Sequence, residues 1–219
     1  VSLFSRVADH RDPNSLAARL RATRLEFFGG LLARVPRPLR ILDVGGTSDF
    51  WKRSEFADDG VSVTILNMQR EALDDPRFES IVGDARDLGA FESGSIDIVY
   101  SNSVIEHVGT FADQRRMADE IRRVGRRYFV QTPNALFPVE PHFLVPGFQF
   151  MPLRLRAYLL TKSRLGWVPR EPDPARALET VAQVRLLTEK QMRTLFPEAI
   201  VYRERFLGMT KSVIVYHGW

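Results

Sequence analysis

The run Arg40-Ile41-Leu42-Asp43-Val44-Gly45-Gly46-Thr47-Ser48-Asp49 joins an apolar strand to a carboxylate, two glycines and the start of a helix. Such a turn sets backbone donors and one negative charge at the carboxyl edge of a parallel sheet, where small cofactors bind. The carboxylate selects among them. A pyrophosphate would be repelled by Asp43, whereas a ligand carrying an ammonium and a sulfonium would be attracted. Two further groups can do chemistry. Glu106-His107 follows the apolar run Ile96-Asp97-Ile98-Val99-Tyr100, and Glu140-Pro141-His142-Phe143 follows a proline-stopped strand. Imidazole titrates near neutrality and suits removal of a proton from a hydroxyl acceptor. His107 is the first candidate base and His142 the second. Each also has a plain structural reading, as a cap or a backbone partner. Acidic and histidine residues occur singly near the expected pocket rather than in a compact ligand set, so no metal site is expected.

These groups need a frame. Asn14 to Ala33 reads as a leading helix, with Leu16, Leu20, Phe27, Leu31 and Leu32 on its apolar side and Arg19, Arg21 and Arg24 elsewhere. Strands are expected at Leu39 to Val44, Val61 to Leu66, Phe78 to Val82, Ile96 to Tyr100 and Tyr128 to Thr132, the last stopped by Pro133. Helices are expected at Asp49 to Ala57, ended by the turn Asp58-Asp59-Gly60, and at Ala112 to Val124. This order predicts a mostly parallel sheet covered on both faces. Thr188 to Leu195 reads as a helix capped by Thr188 with Gln191 three residues on. Val201 to Leu207 and Ser212 to Tyr216 then follow without a helix between them, so they pair antiparallel. Asn134 to Leu187 is proline-rich, holds one expected helix at Leu153 to Leu160, and forms a lid or substrate-binding insertion within a single domain spanning 1–219.

With the elements placed, three motifs in order resemble the class I S-adenosylmethionine-dependent methyltransferases, and among them bacterial small-molecule enzymes. They are Leu42-Asp43-Val44-Gly45-Gly46-Thr47, Gly83-Asp84-Ala85, and Asp97-Ile98-Val99-Tyr100-Ser101-Asn102-Ser103-Val104-Ile105-Glu106-His107-Val108. The resemblance implies a Rossmann-like sandwich with a seven-stranded sheet, an antiparallel C-terminal hairpin, and S-adenosylmethionine as cofactor. It also implies roles. Gly45, Gly46 and Thr47 approach the amino-acid end of the cofactor, and Asp43 meets its ammonium. Asn67 and Met68 face the ribose, Asp84 and Ala85 the adenine, and Ser101 and Asn102 the methionine portion. The chain departs from the family at Thr47 and Asp49, which stand at later glycine positions. It departs again at Asn67, where an acid usually holds the ribose diol, so weaker cofactor affinity is expected.

Composition narrows the partners. The chain has 219 residues, 31 basic and 27 acidic, for a net charge of +4. So small an excess speaks against nucleic acid and could steer an anionic or lipid-linked substrate; the resemblance to bacterial small-molecule enzymes implies a small hydroxylated acceptor such as a sugar or glycolipid head group. Cysteine is absent, so disulfides and thiolate chemistry are excluded, in keeping with a cytoplasmic location. No apolar run reaches about 18 residues, the length of a membrane span, and the first residues leave no room for a secretory signal. The apolar run Phe143 to Leu153, followed by Arg154, Arg156, Lys162, Arg164, Arg170 and Arg176, reads as a pocket wall or lid, a peripheral membrane contact, or a dimer surface or ordinary core. The oligomeric state is not set by these features. The competing readings are a non-catalytic S-adenosylmethionine-binding scaffold and a nicotinamide oxidoreductase.

Overall fold

The computed structural model describes residues 16–54, 56 and 60–219, with side chains from residue 21 onward. His10, Asn14, Ala57, Asp58, Asp59 and the side chains of Leu16, Arg19 and Leu20 lie outside the described residues. The chain runs α1 (Leu16–Leu32), β1 (Leu39–Val44), α2 (Ser48–Ser54), β2 (Val61–Asn67), β3 (Phe78–Val82), β4 (Ile98–Asn102) and α3 (Phe111–Val124). It continues through β5 (Tyr128–Pro133), α4 (Leu153–Lys162), α5 (Pro174–Ala182), α6 (Glu189–Leu195), β6 (Ile200–Phe206) and β7 (Met209–His217).

Seven strands form one sheet in the order β3-β2-β1-β4-β5-β7-β6, parallel except where β7 pairs antiparallel with β5 and β6. The interior strands β1, β4 and β5 are apolar along most of their length because helices cover both their faces. On one face Met117, Ala118, Ile121 and Val124 of α3 join Met192 and Leu195 of α6. On the other, Phe28, Leu31 and Leu32 of α1 join Trp51 of α2 and Tyr100 of β4. Each of the larger aliphatic, Met and Phe side chains contributes roughly 1.5–3 kcal/mol by burial. α3 and α6 begin with reciprocal caps, Thr110 with Asp113 and Thr188 with Gln191. Chain order reverses between β1 and β4, so their carboxyl ends, Val44 and Asn102, open the crevice where a ligand belongs.

The parallel sheet and terminal hairpin are as expected, but several details differ. β4 is Ile98–Asn102 rather than Ile96–Tyr100. Asp97 instead holds the Arg40 backbone at the strand's entry, accepting its N–H at 2.9 Å, and Ile96 makes only a single bridge to Gly125. β5 ends at Pro133 as expected, with Pro133 itself paired to Ser212 at the strand's last position. Cover on both faces is incomplete. Residues 68–77 and 83–97 link β2 to β3 and β3 to β4 without a helix, because Pro76, Gly83, Gly89 and Gly94 punctuate both stretches. Phe28, which the leading-helix pattern left out, is fully buried, whereas Phe27 is half-buried against Tyr202 and Tyr216.

The insertion has a core of its own. Phe143, Phe148, Ala157, Leu160, Ala177 and Val181 bury one another as α4 packs on α5. The helix α5, unmarked in the sequence reading, starts at Asp173, whose carboxylate accepts from Ala175 and Arg176 N–H, with Pro174 at its first turn. A bridge between Asn134 and Leu187 closes the insertion's neck. Two of the aromatic residues in the apolar run are thus core, while Phe150 stays exposed.

Candidate functional site

At the end of β1, Asp43 is almost wholly buried. Its Oδ2 accepts a hydrogen bond from Trp51 Nε1 at 2.7 Å, and its Oδ1 is buried with no partner among the described residues. Burial pushes the Asp43 carboxyl up to about 7, against the Trp51 hydrogen bond and with added repulsion from Glu71. The glycines are required by contact. Gly45 has φ +81°, and a Cβ there would meet Val104 at 2.6 Å; a Cβ on Gly46 would stand 1.8 Å from Asp43 Oδ2. Thr47 is exposed at the loop's crest.

The next helix end is already engaged by an acid that the sequence reading overlooked. Ser48 donates to Glu71 through its N–H at 3.0 Å and its hydroxyl at 2.6 Å. Glu71 stands four residues beyond Asn67, so an acid near the end of β2 is present, only later in the loop than expected. Asn67 itself ties strand to loop. Its Nδ2 donates to Gly46 O at 3.3 Å, and its Oδ1 accepts from Met68 N–H at 2.8 Å. The Met68 side chain is 70% exposed.

Asp84 turns toward Arg86, which donates to it from the backbone and the guanidinium at 2.5–2.9 Å and holds its carboxyl below the usual range. Ala85 packs on the core beside α3. Ser101 is fully buried, and its hydroxyl donates to Val44 O at 3.2 Å, joining β4 to β1. Asn102 Oδ1 accepts from Arg24 Nη1 at 2.5 Å, while Arg24 forms a bidentate pair with Glu204 at 2.7 and 2.6 Å. α1 is thereby locked onto the carboxyl edge of the sheet.

A second cluster lies past β4. Residues Ile105–His107 form a single 3-10 turn that buries Glu106 and leaves His107 at the open rim. His142 arrives from the insertion, and the two imidazole rings stand 4.8 Å apart, nearly perpendicular. Glu140, buried beneath, accepts from the backbone N–H of His142 at 2.8 Å and of Phe143 at 2.6 Å, and meets His142 Nδ1 at 2.6 Å. Desolvation pulls His142 down, but the Glu140 hydrogen bond and charge, with Glu106, carry its pKa above the ordinary value. Desolvation, then the neighbouring His142, lowers His107 to about 4. Glu106 does not orient His107. Its Oε2 accepts from Thr132 Oγ1 at 2.9 Å. The remaining described histidine, His217, stacks on Tyr128 at 5.6 Å, on the last residue of β7.

The sequence pattern of a methyltransferase domain matches residues 43–128, from the buried carboxylate to the start of β5. The likeness to methyltransferases rests on that segment, which holds β2 to β4 and α3. A Mycobacterium tuberculosis protein described as uncharacterised, found in two strains, is 26% identical over 146 residues, covering 61% of this chain and 48% of the relative. The chain therefore spans about half the length of the curated relatives it matches. Among solved structures, an S-adenosylmethionine-dependent methyltransferase of Methanosarcina mazei aligns with a TM-score of 0.55 at 17% identity, covering 85% of this chain and 94% of its own. A Rhodobacter sphaeroides protein described as a candidate zinc-dependent alcohol dehydrogenase aligns at 0.56 and 14%, covering 89% and 88%. At these identities such likeness carries the fold alone.

A methyltransferase domain implies S-adenosylmethionine as methyl donor, and the residues at β1 fit that ligand. Asp43 Oδ1 is a buried acceptor lacking a donor among the described residues, which an ammonium would satisfy, and Gly45 and Gly46 leave room for close approach. Trp51, Glu71 and Glu140 are the supporting residues that the sequence reading did not single out. Trp51 gave a weak signal, an indole one helical turn past the glycines; Glu140 stood inside a quoted motif without a role.

Proposed function

We propose that this methyltransferase domain transfers a methyl group to the hydroxyl of a small acceptor, of the sugar or glycolipid head-group kind. The observation carrying this reading is the meeting of His107 and His142, drawn from the β4 motif and from the insertion. When bound, S-adenosylmethionine supplies a methyl carbon made electrophilic by its sulfonium. Asp43 would hold the donor's ammonium, and the backbone at Gly45 and Gly46 its carboxylate end. Glu71, Asn67 and Met68 line the ribose side, with Asp84 and Ala85 on the adenine side. Asp84 can reach an adenine amine only while sharing its oxygens with Arg86.

The acceptor end is the histidine cluster. Glu140 fixes the ring of His142 through Nδ1 and so aims Nε2 outward. The insertion brings His142 to this cluster and would align the acceptor, the contribution that an in-line displacement needs most. An alcohol must also shed its proton, and the imidazole cluster is where that proton departs. Arg156 supports an anionic acceptor. Its Nε is buried with no hydrogen-bond partner among the described residues, beside the Phe148 ring and within the electrostatic reach of Glu140. The basic residues of α4 and the following loop would draw in such a group, free or lipid-linked. No helix among the described residues is long and apolar enough to cross a membrane.

The test is a tritium-transfer assay with labelled S-adenosylmethionine and a panel of hydroxylated acceptors, sugars and phosphorylated sugars included. Label in an ether that survives base supports the proposal. Tight cofactor binding without transfer to any extract fraction would favour the scaffold reading.

A further inference from the structure

Glu106, His107 and His142 stand within one small sphere. One ligand-capable atom from each lies within 4.8 Å of the other two, with Glu106 buried, His142 half-buried and His107 exposed at the mouth. Such a gradient, a buried anchor beneath an open rim, gives an ion a path from solvent. Two further observations aim at the same point. Glu106 is fully buried, yet its Oε1 has no hydrogen-bond partner among the described residues. Buried carboxylate oxygens are almost always paired, so this one marks a missing positive group. Next, His142 is set up as metal-binding histidines usually are, with Nδ1 on the Glu140 carboxylate at 2.6 Å and Nε2 left over.

We propose that Glu106, His107 and His142 bind a divalent first-row transition metal ion, and that this ion takes the acceptor's hydroxyl oxygen as a further ligand. Two imidazoles and one carboxylate favour zinc, iron(II), cobalt or manganese over the all-oxygen preference of magnesium and calcium. Metal–ligand bonds of about 2.0–2.2 Å set ligand atoms about 3–3.5 Å apart. The cluster therefore closes by about 1–2 Å on loading, within the reach of side-chain rotation at His107. Three protein ligands leave open positions for water or the acceptor.

The proposal rests on the methyl-transfer reading for its second half and replaces an imidazole base with a metal-bound oxygen. On coordination the hydroxyl releases its proton to solvent. The oxygen–methyl bond then forms as the methyl–sulfur bond breaks, and the electron pair leaves on sulfur. Metal activation of oxygen can replace a general base at neutral pH.

The experiment titrates chelator-treated full chain with Co2+, followed by visible absorption and by displacement with Zn2+, in the absence of cofactor and acceptor. The wild type is expected to bind one ion and develop d–d bands. Glu106→Gln keeps the Thr132 bond and removes the charge; it and His142→Ala are expected to weaken binding at least tenfold. His217→Ala is expected to bind as the wild type does. Circular dichroism and melting of each variant separate lost binding from lost folding. Wild-type protein that is folded but shows no Co2+ bands, or Glu106→Gln that binds equally well, overturns the site. Titration of the same chelated protein with S-adenosylhomocysteine keeps this result apart from the methyltransferase reading, because donor binding at Asp43 needs no metal.

Discussion

Asp43 is expected to cost the donor-free protein stability that it returns when it binds the donor. Its carboxyl is raised from 3.8 to about 7, and a rise of about 3 units corresponds to about 4 kcal/mol, at about 1.4 kcal/mol per unit. The sign follows from the direction. A carboxyl whose folded pKa is raised imposes no penalty below its unfolded pKa of about 4. Its penalty grows as pH rises and is complete above about 7. Asp43→Asn removes the charge but can keep the Trp51 bond through its carbonyl. Its new amide, placed where Oδ1 finds no partner, costs about 1–3 kcal/mol. The variant should therefore be about 1–3 kcal/mol more stable than the wild type at pH 8 and less stable at pH 4. Urea denaturation of both donor-free proteins at the two pH values reads this crossing, because the other titrating groups cancel in the difference. At pH 8 the same substitution should weaken S-adenosylhomocysteine binding about 10- to 150-fold, the value of one charge-assisted hydrogen bond. A stability difference that does not change with pH would refute the reasoning.

Other perturbations separate the parts of the site. Trp51→Phe strips Asp43 of its described donor and should lower stability at pH 8 by about 2–4 kcal/mol, read by denaturant midpoint; equal stability would mean that the indole bond is idle. Gly46→Ala drives a methyl into the Asp43 carboxylate and should abolish measurable donor binding by calorimetry, whereas Thr47→Ala, at an exposed crest, should leave it within threefold. Glu140→Gln loosens His142 and should reduce kcat by about 10- to 100-fold with donor affinity unchanged; a loss confined to KM would place Glu140 in acceptor binding instead. Glu204→Gln breaks the buried pair with Arg24 and should destabilise the fold by about 3–5 kcal/mol in thermal or urea unfolding.

Much of the scaffold was legible because its elements are locally consistent. The β-branched alternation of β2, the capping signature at Thr188 and Gln191, and the helix-free tail each pointed to one element, and each formed. What escaped was decided by distant partners. α5 lay hidden among prolines because Pro174 at a helix start reads, in sequence, like a breaker. The open face over β2 and β3 was overlooked because alternation of strands and helices was extended across two loops that have none. The site follows the same division. Asp43 and its glycines declare themselves through adjacency, whereas Trp51 and Glu71 reach the carboxylate region from a helix and a loop, with nothing in their spacing to pair them. His107 and His142 were each visible as candidates, but their meeting, with Glu106 below and Glu140 behind, depends on how the insertion folds over β4. A chain in which these acids and histidines stand singly gave no reason to expect a metal site.

A crystal structure of the protein with S-adenosylhomocysteine tests the central claim most directly. The account predicts the ligand's ammonium within hydrogen-bond distance of Asp43 Oδ1, and its sulfur on the side of the loop facing His107 and His142. Ligand bound in any other crevice, or none bound to well-folded protein at saturating concentration, would contradict it.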